Sequence, residues 1–104
     1  MKTHFVYCTT RDSDEAAVIG RFLVESRLAA CVNILADMNS IYIWEGELQQ
    51  DHEAVLIAKT TEPRLKELIE AIKKRHSYDC PCIVSFPIGQ GNLDYLNWIA
   101  DQVR

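Results

Sequence analysis

The sequence predicts an α+β protein, a ferredoxin-like βαββαβ sandwich with an extended hairpin and a C-terminal helix. Three observations lead there. Short runs of β-formers alternate with helical-period stripes in the order β-α-β-β-α-β-α. The two central strands follow one another with only polar residues between them, which makes them a hairpin. Each strand–helix–strand unit on either side of that hairpin then interleaves into one antiparallel sheet.

Phe5-Val6-Tyr7-Cys8-Thr9-Thr10 is rich in β-formers and reads as the first strand. Asp12 is an N-cap with Glu15 three residues on, a capping-box pattern that opens a helix. Ala16, Ile19 and Leu23 share one face of it with Phe22 beside them, and it ends near Arg27. Cys31 to Leu35 returns to strand, Ala36 to Asn39 reads as a break or bulge, and Ile41-Tyr42-Ile43-Trp44 continues with strong β-propensity. Gln49-Gln50-Asp51-His52 is the polar stretch and Ala54 to Ala58 the return strand. With no Asn-Gly or Asp-Gly, a loop longer than two residues is expected at the turn.

Thr61-Glu62-Pro63 opens the second helix, where proline's missing N–H costs nothing. Leu65, Leu68, Ile69 and Ile72 form its apolar stripe, and Lys73-Lys74-Arg75 close it against the dipole. Pro81 blocks further helix, Cys82 to Phe86 reads as the last strand, and Pro87 ends it. Asn92 caps a final helix whose stripe is Leu96, Ile99, Ala100 and Val103.

At 104 residues, 48% apolar and 25% charged, the chain is one domain, residues 1–104, with an ordinary globular composition. A net charge of −4 argues against nucleic acid as a partner. The longest apolar run, Leu28 to Val32, is far below the ~20 residues of a membrane span, so no membrane partner is expected. With no export signal the expected location is cytoplasmic, and the four cysteines are expected to be reduced. No dinucleotide loop, P-loop, nucleophile elbow or zinc-protease motif occurs, so neither an enzyme nor an organic cofactor is expected.

Two helices shield one face of such a sheet, yet several strands carry apolar residues on both alternating sets, Phe5 and Tyr7 against Val6 and Cys8, Ile41 and Ile43 against Tyr42 and Trp44. Self-association covers the second face most simply, with Tyr42 and Trp44 as anchors. Cys80-Pro81-Cys82 with His76 upstream suits a soft metal. From spacing alone the preferred reading is small buried cysteines and a histidine placed at a helix C-terminus by the dipole. His4 and His52 read as surface residues, and a Glu–Lys pair across the hairpin would satisfy Lys59.

Cys31-Val32-Asn33-Ile34, Ser40-Ile41-Tyr42-Ile43-Trp44-Glu45-Gly46-Glu47, Lys59-Thr60, His76-Ser77-Tyr78-Asp79-Cys80-Pro81 and Asp94-Tyr95-Leu96-Asn97-Trp98 follow in order along nearly the whole chain. In this they resemble the CutA divalent-cation tolerance family. The resemblance implies a tight homotrimer similar in build to PII signalling proteins, tolerance of divalent metals, and binding of copper or another divalent metal. It places metal ligands on Cys8 and His76. The family's first histidine is Arg75 here, which cannot ligate a metal; its proline is Ser77 and its later glutamate Cys82. These departures weaken the copper expectation, and one further reading of them is that Cys80 or Cys82 supplies a replacement sulfur ligand. The alternative function is a PII-like binding module holding a small ligand in clefts between subunits, lined by Trp44, Glu45, Lys59, Tyr78 and Asp79.

Overall fold

The computed structural model describes residues 2–104. Its elements are β1 (Thr3–Thr10), α1 (Ser13–Glu25), β2 (Cys31–Trp44), β3 (Glu47–Thr61), α2 (Glu62–Arg75), β4 (Ile83–Pro87) and α3 (Leu93–Gln102). The sheet order is β2-β3-β1-β4 with every neighbouring pair antiparallel, so β1 and β2 run parallel across β3. This is the interleaved βαβ arrangement that the element order predicts.

The caps act as their residue types require. Asp12 Oδ1 accepts from the Glu15 N–H at 2.9 Å, and Asn92 Oδ1 accepts from the Asp94 N–H at 3.1 Å. Beneath α1 and α2, Val6, Cys8, Leu56 and Ala58 meet Ile19, Leu23, Leu68 and Ile72, all essentially inaccessible to water. Replacing one of these leucines by alanine would cost about 2–5 kcal/mol. The α3 helix caps one end, where Ile99 and Val103 close over Ala30.

Since Val6 and Cys8 point into that core, Phe5, Tyr7 and Thr9 point away from the helices. The register lines up Phe86, Phe5, Lys59 and Cys31 across this second face, then Val84, Tyr7, Ile57 and Asn33. Phe86 is 51% exposed and Val84 44%, so the face is apolar and uncovered within one chain. Beyond the helices the β2–β3 ribbon projects alone, and the chain measures 45 × 26 × 21 Å.

The ribbon differs from expectation at its tip. Trp44 pairs with Glu47, and the turn is the two residues Glu45 and Gly46, at φ 51° and 82°. Left-handed geometry at both central positions is the type I′ turn that matches strand twist, and glycine in the second position permits it without asparagine in the first. Gln49 to His52 belong to β3. Their polarity reflects a ribbon with little to bury against, where composition no longer marks a turn. Ala36 to Asn39 is a bulge inside one continuous strand: the register shifts between Leu35 and Met38, with Asp37 at φ 57°.

Two side chains also sit elsewhere than expected. His4 is buried, with Nε2 3.1 Å from Glu62 Oε1, because the first strand runs under the start of α2. Lys59 lies near the opposite end of β3 from the turn glutamates, so no Glu–Lys pair spans the hairpin. Its Nζ instead donates to Asn33 Oδ1 and to Cys31 Sγ.

Candidate functional site

The end of β1, the ribbon and the segment between α2 and β4 enclose a cavity of about 530 Å³. Its lining includes Tyr42, Trp44, Glu53, Tyr78, Asp79, Cys80 and Cys82. Strand periodicity supplies one wall. Tyr42 and Trp44 share a face of β2, and Glu53 lies on the matching face of β3 opposite Met38.

The other wall is held by Glu15. Its Oε1 accepts from the Arg11 N–H at 2.9 Å and its Oε2 from the Ser77 N–H at 2.8 Å, so one carboxylate ties the start of α1 to the segment after α2. Burial works against this charge, but the two N–H bonds outweigh it and hold the carboxyl below the usual glutamate range. Tyr78, next along, packs against His76 with ring centroids 4.8 Å apart and planes tilted by 50°, and donates its hydroxyl to Glu53 Oε2 at 2.7 Å. Burial, and then the bond to Glu53, push the Tyr78 phenol well above its ordinary value, so it stays a neutral donor.

Trp44, Tyr78 and Asp79 therefore come together as candidate lining residues, whereas Glu45 sits in the ribbon turn and Lys59 beside Cys31. Glu53 has no counterpart in the sequence reading, which gives Glu15 only as a capping-box residue and not as the tie to Ser77. For Glu53 the available signal is its parity with Val55 and Ile57, which marks the face opposite the helices. Beyond the cavity, Tyr95 Oη lies 3.4 Å from Cys31 Sγ, a contact that pushes its phenol up to about 12.

The residues proposed for copper do not fit a ligand set. Cys8 is fully buried in the core, and burial first, with Cys82, Glu15 and Glu53 adding to it, pushes its thiol up to about 12. A metal needs the thiolate, which this position disfavours. His76 Nδ1 accepts from the Tyr78 N–H at 3.1 Å. That leaves Nε2 as the protonated nitrogen, donating to the Thr9 carbonyl at 2.7 Å. Neither nitrogen has a free lone pair. Among the described residues no group of three or more His, Cys, Asp or Glu is arranged to hold a metal ion. Cys80 and Cys82 are exposed at the cavity, contrary to the reading as small buried cysteines, because the extended Cys-Pro-Cys segment runs outside the helix layer. All four cysteines are free.

Residues 4–102 match the model of the CutA1 divalent ion tolerance protein family. A divalent-cation tolerance protein CutA from Thermus thermophilus is 44% identical, over 92% of this chain and 93% of that one. Its counterpart from Archaeoglobus fulgidus is 38% identical over 97% and 98%. A chloroplastic CutA 1 from Oryza sativa is 40% identical over 95% of this chain, which spans 56% of that longer protein. Among solved structures, CutA1 from Oryza sativa superposes with a TM-score of 0.96 at 38% identity, covering 100% of this chain and 95% of that one. The Thermus thermophilus structure gives 0.94 at 41% identity, covering 98% and 99%.

Proposed function

The chain belongs to the CutA1 divalent ion tolerance family, and on that premise we propose that it works as a cytoplasmic homotrimer that binds a divalent metal such as copper and serves the response to metal ions. The uncovered sheet face carries the assembly reading. Phe5, Tyr7, Val84 and Phe86 form an apolar surface of the kind that a monomer hides and an oligomer uses. The free ribbon, with Ile41, Ile43 and Leu48 all more than 60% exposed, offers a second contact surface. No helix among the described residues is long and apolar enough to cross a membrane. Four free thiols suit a reducing compartment.

The metal reading rests on the exposed Cys80 and Cys82 thiols beside Asp79, and departs from Cys8 and His76 for the reasons given above. The two thiols line the same cavity and are soft donors, which suits copper. Titration of the reduced protein with copper tests this. The Cys80→Ala/Cys82→Ala double variant is expected to lose the tightest binding and Cys8→Ala to retain it. The opposite pattern would return the site to Cys8.

A second reading is favoured by the cavity itself, whose volume lies in the range of small-molecule sites, about 300–1,000 Å³. A PII-like binding module would hold a small ligand there, with Trp44, Tyr78 and Asp79 in its lining. Its simplest test is soaking with candidate ligands followed by measurement of Trp44 fluorescence.

A further inference from the structure

Building on the reading of this cavity as a small-molecule site, we infer that its ligand is an organic ammonium cation. Glu53 is 8% exposed, yet its carboxylate bonds only the neutral Tyr78 hydroxyl, and among the described residues no Lys, Arg or His pairs with it. A buried negative charge without a positive partner is costly, and a bound cation would relieve it. Asp79 adds a second carboxylate, and the cavity lining contains no basic side chain. The nearby Arg11 guanidinium is engaged by Asp12 at 3.3 Å.

The aromatic walls decide which cation. Tyr42, Trp44 and Tyr78 contribute three aromatic rings to the lining of one cavity. A small hard metal ion needs several oxygen ligands to replace its water, and rings supply none. A weakly hydrated ammonium gains from ring faces and from a carboxylate together. The absence of any three-ligand metal group among the described residues points the same way. The ligand class is therefore a substituted ammonium small enough for about 530 Å³, its charge beside Glu53 and its alkyl groups on the rings.

The test compares a charged probe with its neutral isostere. Choline and 3,3-dimethyl-1-butanol have nearly the same shape and differ in charge. Each is titrated into the full-length protein with EDTA present, by calorimetry and by fluorescence in a Trp98→Phe background that leaves Trp44 as the reporter. Choline is expected to saturate and to bind at least about tenfold more tightly than the alcohol. Glu53→Gln and Trp44→Leu are each expected to weaken it by about tenfold, and Asp79→Asn by about threefold. Tyr95→Phe, outside the cavity, is expected to leave choline binding unchanged. Equal binding of the two probes, no saturation by choline, or unchanged affinity in the carboxylate variants would overturn the inference. The probe comparison needs no variant, so it stands even if Glu53→Gln or Trp44→Leu fails to fold. Particle mass, measured on the same samples, reports separately on the trimer.

Discussion

Replacing Glu15 by alanine removes a side chain that joins the start of α1 to the segment carrying Tyr78, Asp79 and Cys80. Its two oxygens accept the Arg11 and Ser77 N–H groups at 2.9 and 2.8 Å. Each is a hydrogen bond to a charged group, worth about 1.5–3 kcal/mol. Arg11 and Ser77 are themselves exposed, so water replaces part of what is lost. The two bonds sum to about 3–6 kcal/mol, and with water replacing part of that the expected destabilisation is about 2–3 kcal/mol. Glu15→Gln keeps one acceptor and turns an amide toward the other N–H, so it should fall between alanine and the wild type.

The assay is urea unfolding followed by circular dichroism at one fixed protein concentration, since an assembling protein's midpoint depends on concentration. The pH dependence has a definite sign. The Glu15 carboxyl is held below its ordinary value in the folded state, so its contribution is complete above the unfolded pKa of about 4.3. It fades as pH falls through the lower folded value. The gap between wild type and Glu15→Ala should thus be full at pH 7 and shrink in acid. A variant within about 0.5 kcal/mol of wild type at pH 7, or a gap that persists unchanged in acid, would refute the tie between α1 and the cavity wall.

Thiol labelling of the native protein should proceed fastest at Cys80 and Cys82, and at Cys8 only on unfolding, because Cys8 is buried and its thiol is pushed up to about 12. Mass spectrometry of labelled peptides reads the order, and early Cys8 labelling would contradict its place in the core. Gly46→Val should lower the unfolding free energy by about 1–2 kcal/mol, since a β-branched residue is strained at φ 82°. Unchanged stability there would argue against the two-residue turn. Tyr78→Phe removes the hydrogen bond given to Glu53 Oε2 and should lower stability by about 1 kcal/mol, read by urea unfolding at the same protein concentration; unchanged stability would contradict that contact.

Much of this architecture was legible because local chemistry and global fold agree. Asp12 and Asn92 are caps by residue type, and Leu68 and Ile72 mark the buried face of α2 by spacing alone. The ribbon was misread where that agreement ends. With no helix layer over residues 39–52, polar Gln49 to His52 and apolar Ile41 to Trp44 are equally at home in strand, and only the Glu45-Gly46 backbone marks the turn. The cavity was half visible. Trp44, Tyr78 and Asp79 belong to conspicuous segments, whereas Glu53 gains its meaning from a tyrosine 25 residues away. Lys59 and Cys8 show the limit from the other side. Each carries reactive chemistry, but register assigns Lys59 to Asn33 and Cys31, and strand parity turns Cys8 into the core.

The central claim is that copies of this chain cover one another's open sheet face. Sedimentation equilibrium at micromolar protein tests it, with wild type set against a Val84→Lys/Phe86→Lys variant that places charge on that face while leaving the helix-side core intact. A wild-type particle of about 36 kDa, three copies of an 11.9 kDa chain, and a smaller folded particle from the variant are the predicted results. A wild-type protein that is fully folded and sediments at 11.9 kDa would contradict the claim.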